Sequence, residues 1–247
     1  MRMAAASPIE LVGFDGDDTL WENEQAFHLA NAELRALLAP HCDAEVLDRR
    51  LLDVQRANLR AYGYGAKAFT LSVIETAAEL AGERLTVDDV RAILAIGKGL
   101  LAHPMQLIDG AAEAVRAVTA RVPVVLVTKG DLIHQEAKVA GSGLGDLFGG
   151  VEIVSEKDPA TYRQVCARYG ADPERFVMVG NSLRSDVAPV LEVGGWGVHI
   201  PHELTWAMEH PEDEDTIRAH PRFRALAHLA NLDELLDALL ADIDARA

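Results

Sequence analysis

Short runs of apolar residues, each followed by polar residues, recur along the chain. Such uninterrupted runs are typical of strands buried on both faces of a sheet, because both sides of the strand must then be apolar. The runs predict five strands, at Ile9–Phe14, Val122–Thr128, Val151–Val154, Phe176–Gly180 and Trp196–Pro201. Stretches with helical spacing separate the later runs. This alternation predicts a parallel α/β sheet with right-handed crossovers.

Between the first and second strands the pattern is helical throughout. Apolar residues recur three or four positions apart, as at Ala26, Ala30 and Leu34. Four helices are predicted, at about 24–39, 43–61, 67–81 and 87–101. We therefore interpret residues 23–103 as an inserted helical domain, and residues 1–22 together with 104–247 as the core. Insertions at this edge of a sheet tend to cover a binding site.

Charge and composition exclude several classes of function. The 247 residues include 23 Lys and Arg against 39 Asp and Glu, which gives a formal net charge of −16. Such an acidic chain repels nucleic-acid phosphates and anionic membrane surfaces, so we expect neither as a partner. No apolar run approaches the roughly 20 residues of a membrane span. The opening MRMAAASP lacks the apolar stretch of a signal peptide, and the two cysteines form no motif, so we expect a cytoplasmic protein.

The strongest chemical signal follows the first strand, where the chain reads Asp15-Gly16-Asp17-Asp18-Thr19. Carboxylates two positions apart point the same way from an extended segment, and their mutual repulsion calls for a cation or a shared proton. Mg²⁺ bound by carboxylate oxygens meets that need. One of the pair, Asp15 or Asp17, could then act as nucleophile and the other as general acid/base. The alternative is an acidic loop that caps the next helix.

Three more polar clusters follow later strands. They are Thr128-Lys129-Gly130, then Lys157, then Gly180-Asn181-Ser182-Leu183-Arg184-Ser185-Asp186. A hydroxyl and backbone N–H groups at a strand-to-helix turn suit a phosphate oxygen, while amide and carboxylate oxygens suit a hard cation. A lysine just before a helix is disfavoured by the helix dipole, which suggests that it faces an anion. Taken singly, each cluster could also be an ordinary turn, an exposed lysine or a helix cap.

The joint pattern of FDGDDTLW, LVTKG, SEKD and VGNSLRSD resembles the haloacid dehalogenase superfamily over about residues 9–200. The helical insertion resembles the α-helical cap of its subclass I. The resemblance implies a Rossmann-like core with an inserted α-helical cap domain. It also implies a Mg²⁺-dependent phosphatase whose substrate is a small phosphorylated metabolite.

Residue roles follow from the same resemblance. Asp15 would be the nucleophile that becomes an aspartyl phosphate, and Asp17 the general acid/base. Thr128, Lys129 and Gly130 would hold the transferring phosphoryl group, and Lys157 would neutralise charge. The implied metal ligands are Asp15, Asp17, Asn181 and Asp186. Thr19 and Trp21 are further predicted substrate-binding residues.

Two departures from the family pattern bear on these roles. Asn181 stands where the fourth motif usually has an acid, so we expect weaker metal affinity and assign the charged contact to Asp186. Asp158 separates Lys157 from Pro159, where the family usually has Lys-Pro. Asp17 favours phosphoester hydrolysis over dehalogenation, because a departing halide needs no proton. A 2-haloacid dehalogenase, another hydrolase of the superfamily and a non-catalytic phosphate-binding module remain alternatives.

Other features receive simpler interpretations. The acidic run from Glu209 to Asp215 is predicted to be a solvated loop. His199 and His202 have an HxxH spacing, but they flank a proline at a strand end, so we do not expect a zinc site. An exposed face of the helical insertion could support a homodimer.

Overall fold

The fold is an open parallel sheet with helices in its crossovers, as the sequence pattern predicts. The computed structural model describes residues 9–244, with side chains to residue 241. The strands are β1 (Leu11–Phe14), β2 (Val124–Lys129), β3 (Val151–Val154), β4 (Phe176–Gly180), β5 (Trp196–His199) and β6 (Phe223–Ala225). Their order across the sheet is β3-β2-β1-β4-β5-β6. The prediction of a Rossmann-like α/β core is confirmed, although the prediction of five strands missed β6.

The centre of the sheet is fully buried, which explains the uninterrupted apolar runs. Every residue of β1 and β4 is buried, and β1 lies between β2 and β4 with parallel pairing to both. Phe14 is in register with Leu126 on one side and Val179 on the other. The polar residues that follow these three strands therefore meet at one edge of the sheet.

Four long helices fill the chain between β1 and β2. They are α1 (Glu24–Leu38), α2 (Ala44–Tyr62), α3 (Ala66–Ala81) and α4 (Val87–Leu101). Their apolar faces form a separate core that includes Leu34, Leu51, Phe69 and Ile93. The start of α4 is fixed by a capping box, in which the Thr86 side chain and a side chain three residues later bond to each other's backbone N–H.

The remaining helices accompany the sheet. They are α5 (Ala111–Thr119), α6 (Leu132–Ser142), α7 (Pro159–Tyr169), α8 (Ala188–Glu192), α9 (Glu214–Arg218) and α10 (Leu232–Asp244). The helical segment between β4 and β5 is only partly α-helical, because Leu183–Val187 forms a π-helical turn before α8. Single π-helical turns are rare in proteins as a whole, but those that occur are often found at functional sites.

The chain divides into two compact units. One comprises residues 9–22, Gln106–Thr128 and 139–244; the other comprises Asn23–Met105 and Lys129–Lys138. The second unit thus includes the start of α6, which our sequence-based division places in the core. Contacts explain this grouping: the Lys67 ammonium binds the Asp131 carboxylate at 2.9 Å, and the Lys138 ammonium donates to the Asn23 side chain at 2.8 Å.

None of the helices in residues 9–244 combines the length and the apolar character needed to span a bilayer. The opening segment MRMAAASP, in which we predict no signal peptide, lies outside the described residues.

Candidate active site

The centre of the site is the side-chain ammonium group of Lys157, which lies between two buried carboxylates. Lys157 lies just before α7, and its Nζ donates to Asp15 Oδ1 at 2.5 Å and to Asp186 Oδ1 at 2.6 Å. All three residues are at most 6% exposed. Asp158 takes the N-cap of α7, where its side chain accepts from the Thr161 N–H at 2.7 Å, so its carboxylate is engaged by the helix. The chain thus brings together three predicted site residues that lie far apart in sequence.

Burial and charge set the protonation of this cluster. Burial raises the pKa of Asp15 to about 7, although the nearby Lys157 ammonium opposes the rise. Burial alone would lower the pKa of Lys157, but the charges of Asp15 and Asp186 outweigh it and raise the pKa instead. The lysine therefore stays charged at neutral pH. When Asp15 is ionised, one positive charge faces two buried carboxylates, which leaves negative charge in excess.

Thr19 joins the first and fourth polar clusters. Its hydroxyl donates to Asp15 Oδ2 at 2.9 Å and lies 3.3 Å from Asn181 Oδ1, and it accepts from the Asn181 backbone N–H at 3.0 Å. The residue is 1% exposed. These contacts orient Asp15 and Asn181 relative to each other, so the geometry favours a positioning role for Thr19 over direct contact with substrate.

Asp17 is oriented by Trp21. The indole N–H of Trp21 donates to Asp17 Oδ1 at 2.6 Å, and the indole itself is fully buried. A side chain at Gly16 would clash with this ring, since a Cβ there would lie 2.5 Å from it. Full burial favours a role for Trp21 in holding Asp17, in place of the substrate contact that we predict from the sequence.

A second glycine makes room for Asp186. A Cβ on Gly180 would lie 2.2 Å from Asp186 Oδ2, so only glycine allows the carboxylate to rest against the end of β4. The same oxygen accepts from the Ser182 backbone N–H at 2.9 Å. Both oxygens of Asp186 are therefore engaged, Oδ2 by the Ser182 N–H and Oδ1 by the Lys157 ammonium group.

The second polar cluster follows β2. Thr128 is 1% exposed at the carboxyl end of this strand. The Nζ of Lys129 lies 4.1 Å from the centre of the Tyr64 ring, which is a cation–π contact within the second compact unit. Gly130 has a φ of 141°, a conformation that a residue with a side chain rarely adopts.

The two histidines of the HxxH spacing have separate roles. His199 is buried, and its Nε2 donates to the Asn181 carbonyl at 2.9 Å. His202 lies near Asp18 and Glu22, and the three offer ligand atoms within 4.8 Å of one another. Its Nε2 is 3.2 Å from Glu22, and its Nδ1 is 2.9 Å from the Leu204 carbonyl. A protonated imidazole satisfies both contacts.

The direction of the pKa shift of His202 agrees with this arrangement. Burial lowers the pKa of His202, but the Leu204 carbonyl and the charges of Asp18 and Glu22 outweigh that effect, and the net shift is upward. The two carboxylates therefore favour the protonated form of the ring.

The residues at the sheet edge fit a divalent cation. The carboxylate oxygens of Asp15 and Asp186, the backbone carbonyl oxygen of Asp17 and the amide oxygen of Asn181 are hard donors of the kind that Mg²⁺ prefers. The excess negative charge around Lys157 calls for a further positive charge. A Mg²⁺ ion held by these residues would supply it.

One contributor to the site escaped the sequence analysis. Glu209 belongs to the acidic run that we expect to be a solvated loop, yet its Oε2 accepts from the hydroxyls of Ser182 at 2.6 Å and Ser185 at 2.5 Å. Part of the same run is helical in α9, which is capped by Asp213. The sequence shows two serines, Ser182 and Ser185, within the fourth motif, but helix capping explains both of them equally well.

Comparisons with known proteins agree with this geometry. A family model described as haloacid dehalogenase-like hydrolase matches residues 9–194, which is more than half of the chain. A haloacid dehalogenase-like family hydrolase from Xanthomonas campestris has a similar structure, with 45% sequence identity and a TM-score of 0.87. The match covers 97% of this chain and 95% of that one.

More distant structures share the fold. A "predicted phosphoglycolate phosphatase" from Haemophilus somnus is 17% identical, with a TM-score of 0.62 and coverage of 94% of this chain and 100% of that one. A 2-haloacid dehalogenase from Pseudomonas syringae pv. Tomato is 20% identical, with a TM-score of 0.60 and coverage of 94% and 99%. No curated protein sequence matches significantly.

Proposed function

The chain belongs to the haloacid dehalogenase-like hydrolase family, and on this premise we propose that it is a Mg²⁺-dependent phosphatase of a small phosphorylated metabolite. The observation that carries the proposal is Asp17, a second carboxylate two residues from the buried Asp15 and fixed by the Trp21 indole at 2.6 Å. A phosphomonoester needs a proton on its leaving oxygen, whereas a halide does not. We further propose that the protein acts in the cytoplasm.

The reaction would begin with attack on phosphorus by a carboxylate oxygen of Asp15. A bond forms between this oxygen and phosphorus while the bond from phosphorus to the alcohol oxygen breaks, and Asp17 gives its proton to that oxygen. Water then attacks the aspartyl phosphate, Asp17 takes a proton from the water, and inorganic phosphate leaves with Asp15 restored.

The other residues would support charge and orientation in these steps. Lys157, bonded to Asp15, would attract the phosphoryl oxygens and hold the nucleophile in place. Thr128 and the backbone at Lys129 and Gly130 would bind the transferring group. Bound Mg²⁺, on Asp15, Asp17, Asn181 and Asp186, would supply the charge neutralisation that phosphoryl transfer requires.

The test is phosphate release from p-nitrophenyl phosphate and from a panel of metabolite phosphates, with Mg²⁺ or with EDTA. We expect release with Mg²⁺ only. Asp15→Asn should abolish it, and Asp17→Asn should reduce it by a factor of about 10² to 10⁴, the usual contribution of a general acid. Asp88→Asn, which removes an exposed carboxylate in α4, serves as the control and should match the wild type.

Halide release from 2-chloropropionate is measured on the same preparations. If halide appears without added Mg²⁺ and no ester is cleaved, the protein is a dehalogenase and the proposal is wrong. Normal phosphate release by Asp15→Asn would reject the aspartyl-phosphate mechanism.

A further inference from the structure

Two hydroxyl groups beside the site converge on a single carboxylate oxygen. Ser182 and Ser185, both buried, lie within the turn that separates Asn181 from α8. Each Oγ donates to Glu209 Oε2, at 2.6 Å and 2.5 Å. Hydrogen bonds to a carboxylate are roughly twice as strong as those between neutral groups, so Glu209 is a strong point of attachment for the turn.

Ser182 links Glu209 to Asp186, because it hydrogen-bonds to both residues. Its hydroxyl also accepts from the Ser185 N–H at 3.0 Å, while its own backbone N–H donates to Asp186 Oδ2 at 2.9 Å. A rotation of Ser182 would therefore move the Asp186 carboxylate. The next residue back along the chain is Asn181, so a shift of Ser182 would move both oxygen donors of this loop.

The segment that carries Glu209 is itself anchored. The side chain of Met208 is buried, and its carbonyl accepts from Arg184 Nη1 at 2.6 Å. The Glu209 N–H donates to the Trp206 carbonyl at 2.9 Å. Arg184 binds the segment and Glu209 binds Ser182 and Ser185 of the turn, so three side-chain hydrogen bonds join the two.

We propose that Glu209 is a positioning residue for Mg²⁺ binding, acting through Ser182 on Asp186 and Asn181. The proposal rests on the proposed function, because it takes these two residues as metal ligands. Partners that orient metal ligands typically contribute a factor of 10 to 100 in metal affinity. Nothing in its immediate sequence distinguishes Glu209 from the other acids of its run.

The test measures Mg²⁺ affinity directly, by calorimetric titration of MgCl₂ into the full-length protein freed of metal with EDTA and then dialysed. Glu209→Ala should raise the dissociation constant by a factor of 10 to 100. Glu209→Gln should stay within about threefold of the wild type, because an amide oxygen still accepts from both serines. Glu212→Ala, an exposed acid of the same run, is the charge-matched control and should equal the wild type.

Melting temperatures without metal and the Mg²⁺ dependence of turnover complete the experiment. Glu209→Ala should approach the wild-type kcat at saturating Mg²⁺ if only positioning is lost. Wild-type Mg²⁺ affinity in a folded Glu209→Ala protein overturns the proposal, as does an equal loss of affinity in Glu209→Gln and Glu209→Ala. Should Glu209→Ala fail to fold, Ser185→Ala, which removes one of the two hydroxyls, must still weaken Mg²⁺ binding.

The outcome separates this proposal from the proposed function. Mg²⁺ affinity that depends on Glu209 in a protein that cleaves no phosphoester supports positioning and rejects the phosphatase. Phosphoester cleavage with unchanged Mg²⁺ affinity in Glu209→Ala rejects positioning and keeps the phosphatase.

Discussion

At the scale of single residues, the site is a set of buried charges whose balance depends on each member. Lys157 is shared by Asp15 and Asp186, and Thr19 holds the second oxygen of Asp15. Removal of one charge changes the environment of the others, and it can stabilise the fold where the charge was costly to bury.

Asp15→Asn should stabilise the metal-free protein at alkaline pH while it abolishes turnover. Because the pKa of Asp15 is raised from 3.8 to about 7, burial of the charged form costs free energy above that pH. The variant should exceed the wild type by at least about 1 kcal/mol at pH 8.5 in EDTA, and the advantage should shrink as the pH falls below 7. Urea unfolding at several pH values measures this, and a constant difference across that range would contradict it.

His202→Gln should lose stability mainly at low pH. The folded protein raises the pKa of His202 above 6.5, so its stabilising contribution is complete below 6.5 and disappears as the pH rises through the folded value. For this partly exposed group we expect a difference of about 1 kcal/mol or less. Melting curves of the variant and of the exposed control His103→Gln, from pH 5.5 to 9, test it. A difference that grows with pH would refute the assignment.

Individual site residues differ in how far sequence alone could predict them. The pairing of Asp15 with Lys157 is an expectation of the family resemblance, and the structure places the two in direct contact. The role of Glu209 depends on a contact between separate loops, 27 residues apart for Ser182, and no local pattern reports such a contact. The same reason hides the bond from His199 to the Asn181 carbonyl.

At the scale of elements, periodicity located the helices because each has one buried face. The predicted bounds of α1, α2, α3 and α4 lie within a residue of the observed ones. Glycines that follow the last turn mark the ends of α2 and α3, and the Thr86 capping box marks the start of α4. The strand β6 was missed because three residues are too few to show a pattern, and its place is fixed by pairing with β5.

Two glycines of α4 should respond in opposite ways to alanine. A Cβ on Gly97 would lie 2.1 Å from Thr70 Oγ1 of α3, whereas a Cβ on Gly99 would meet nothing within 4 Å. Gly97→Ala should destabilise the protein by about 1–3 kcal/mol through overpacking. Gly99→Ala should stabilise it by about 0.5–1 kcal/mol through helix propensity.

The double variant Thr70→Ala with Gly97→Ala isolates the clash. Removal of the Thr70 hydroxyl should recover part of the stability that Gly97→Ala loses, which gives a favourable coupling between the two changes. Denaturant unfolding of the four proteins measures that coupling, and strict additivity would mean that the loss has another origin.

At the scale of the whole molecule, the formal charge of −16 means that like charges repel in the compact state. Raising NaCl from 0.05 to 0.5 M should therefore increase the free energy of unfolding of the metal-free protein, by on the order of 1 kcal/mol. Tetramethylammonium chloride, in place of NaCl, should have a similar effect if screening is the cause. No increase with either salt would show that the ion pairs on the surface outweigh the net repulsion.

The place of β1 in the sheet has a consequence for protein synthesis. Among the strands of residues 9–244 this one is synthesised before the others, and its two neighbours, β2 and β4, begin only at residues 124 and 176. During translation one of its edges stays without its partner until β2 has emerged and the other until β4 has emerged, while the helices from Glu24 to Leu101 have mostly nearby partners. We therefore expect the helical block to fold on the nascent chain first, and the catalytic centre to assemble only after β4 is made.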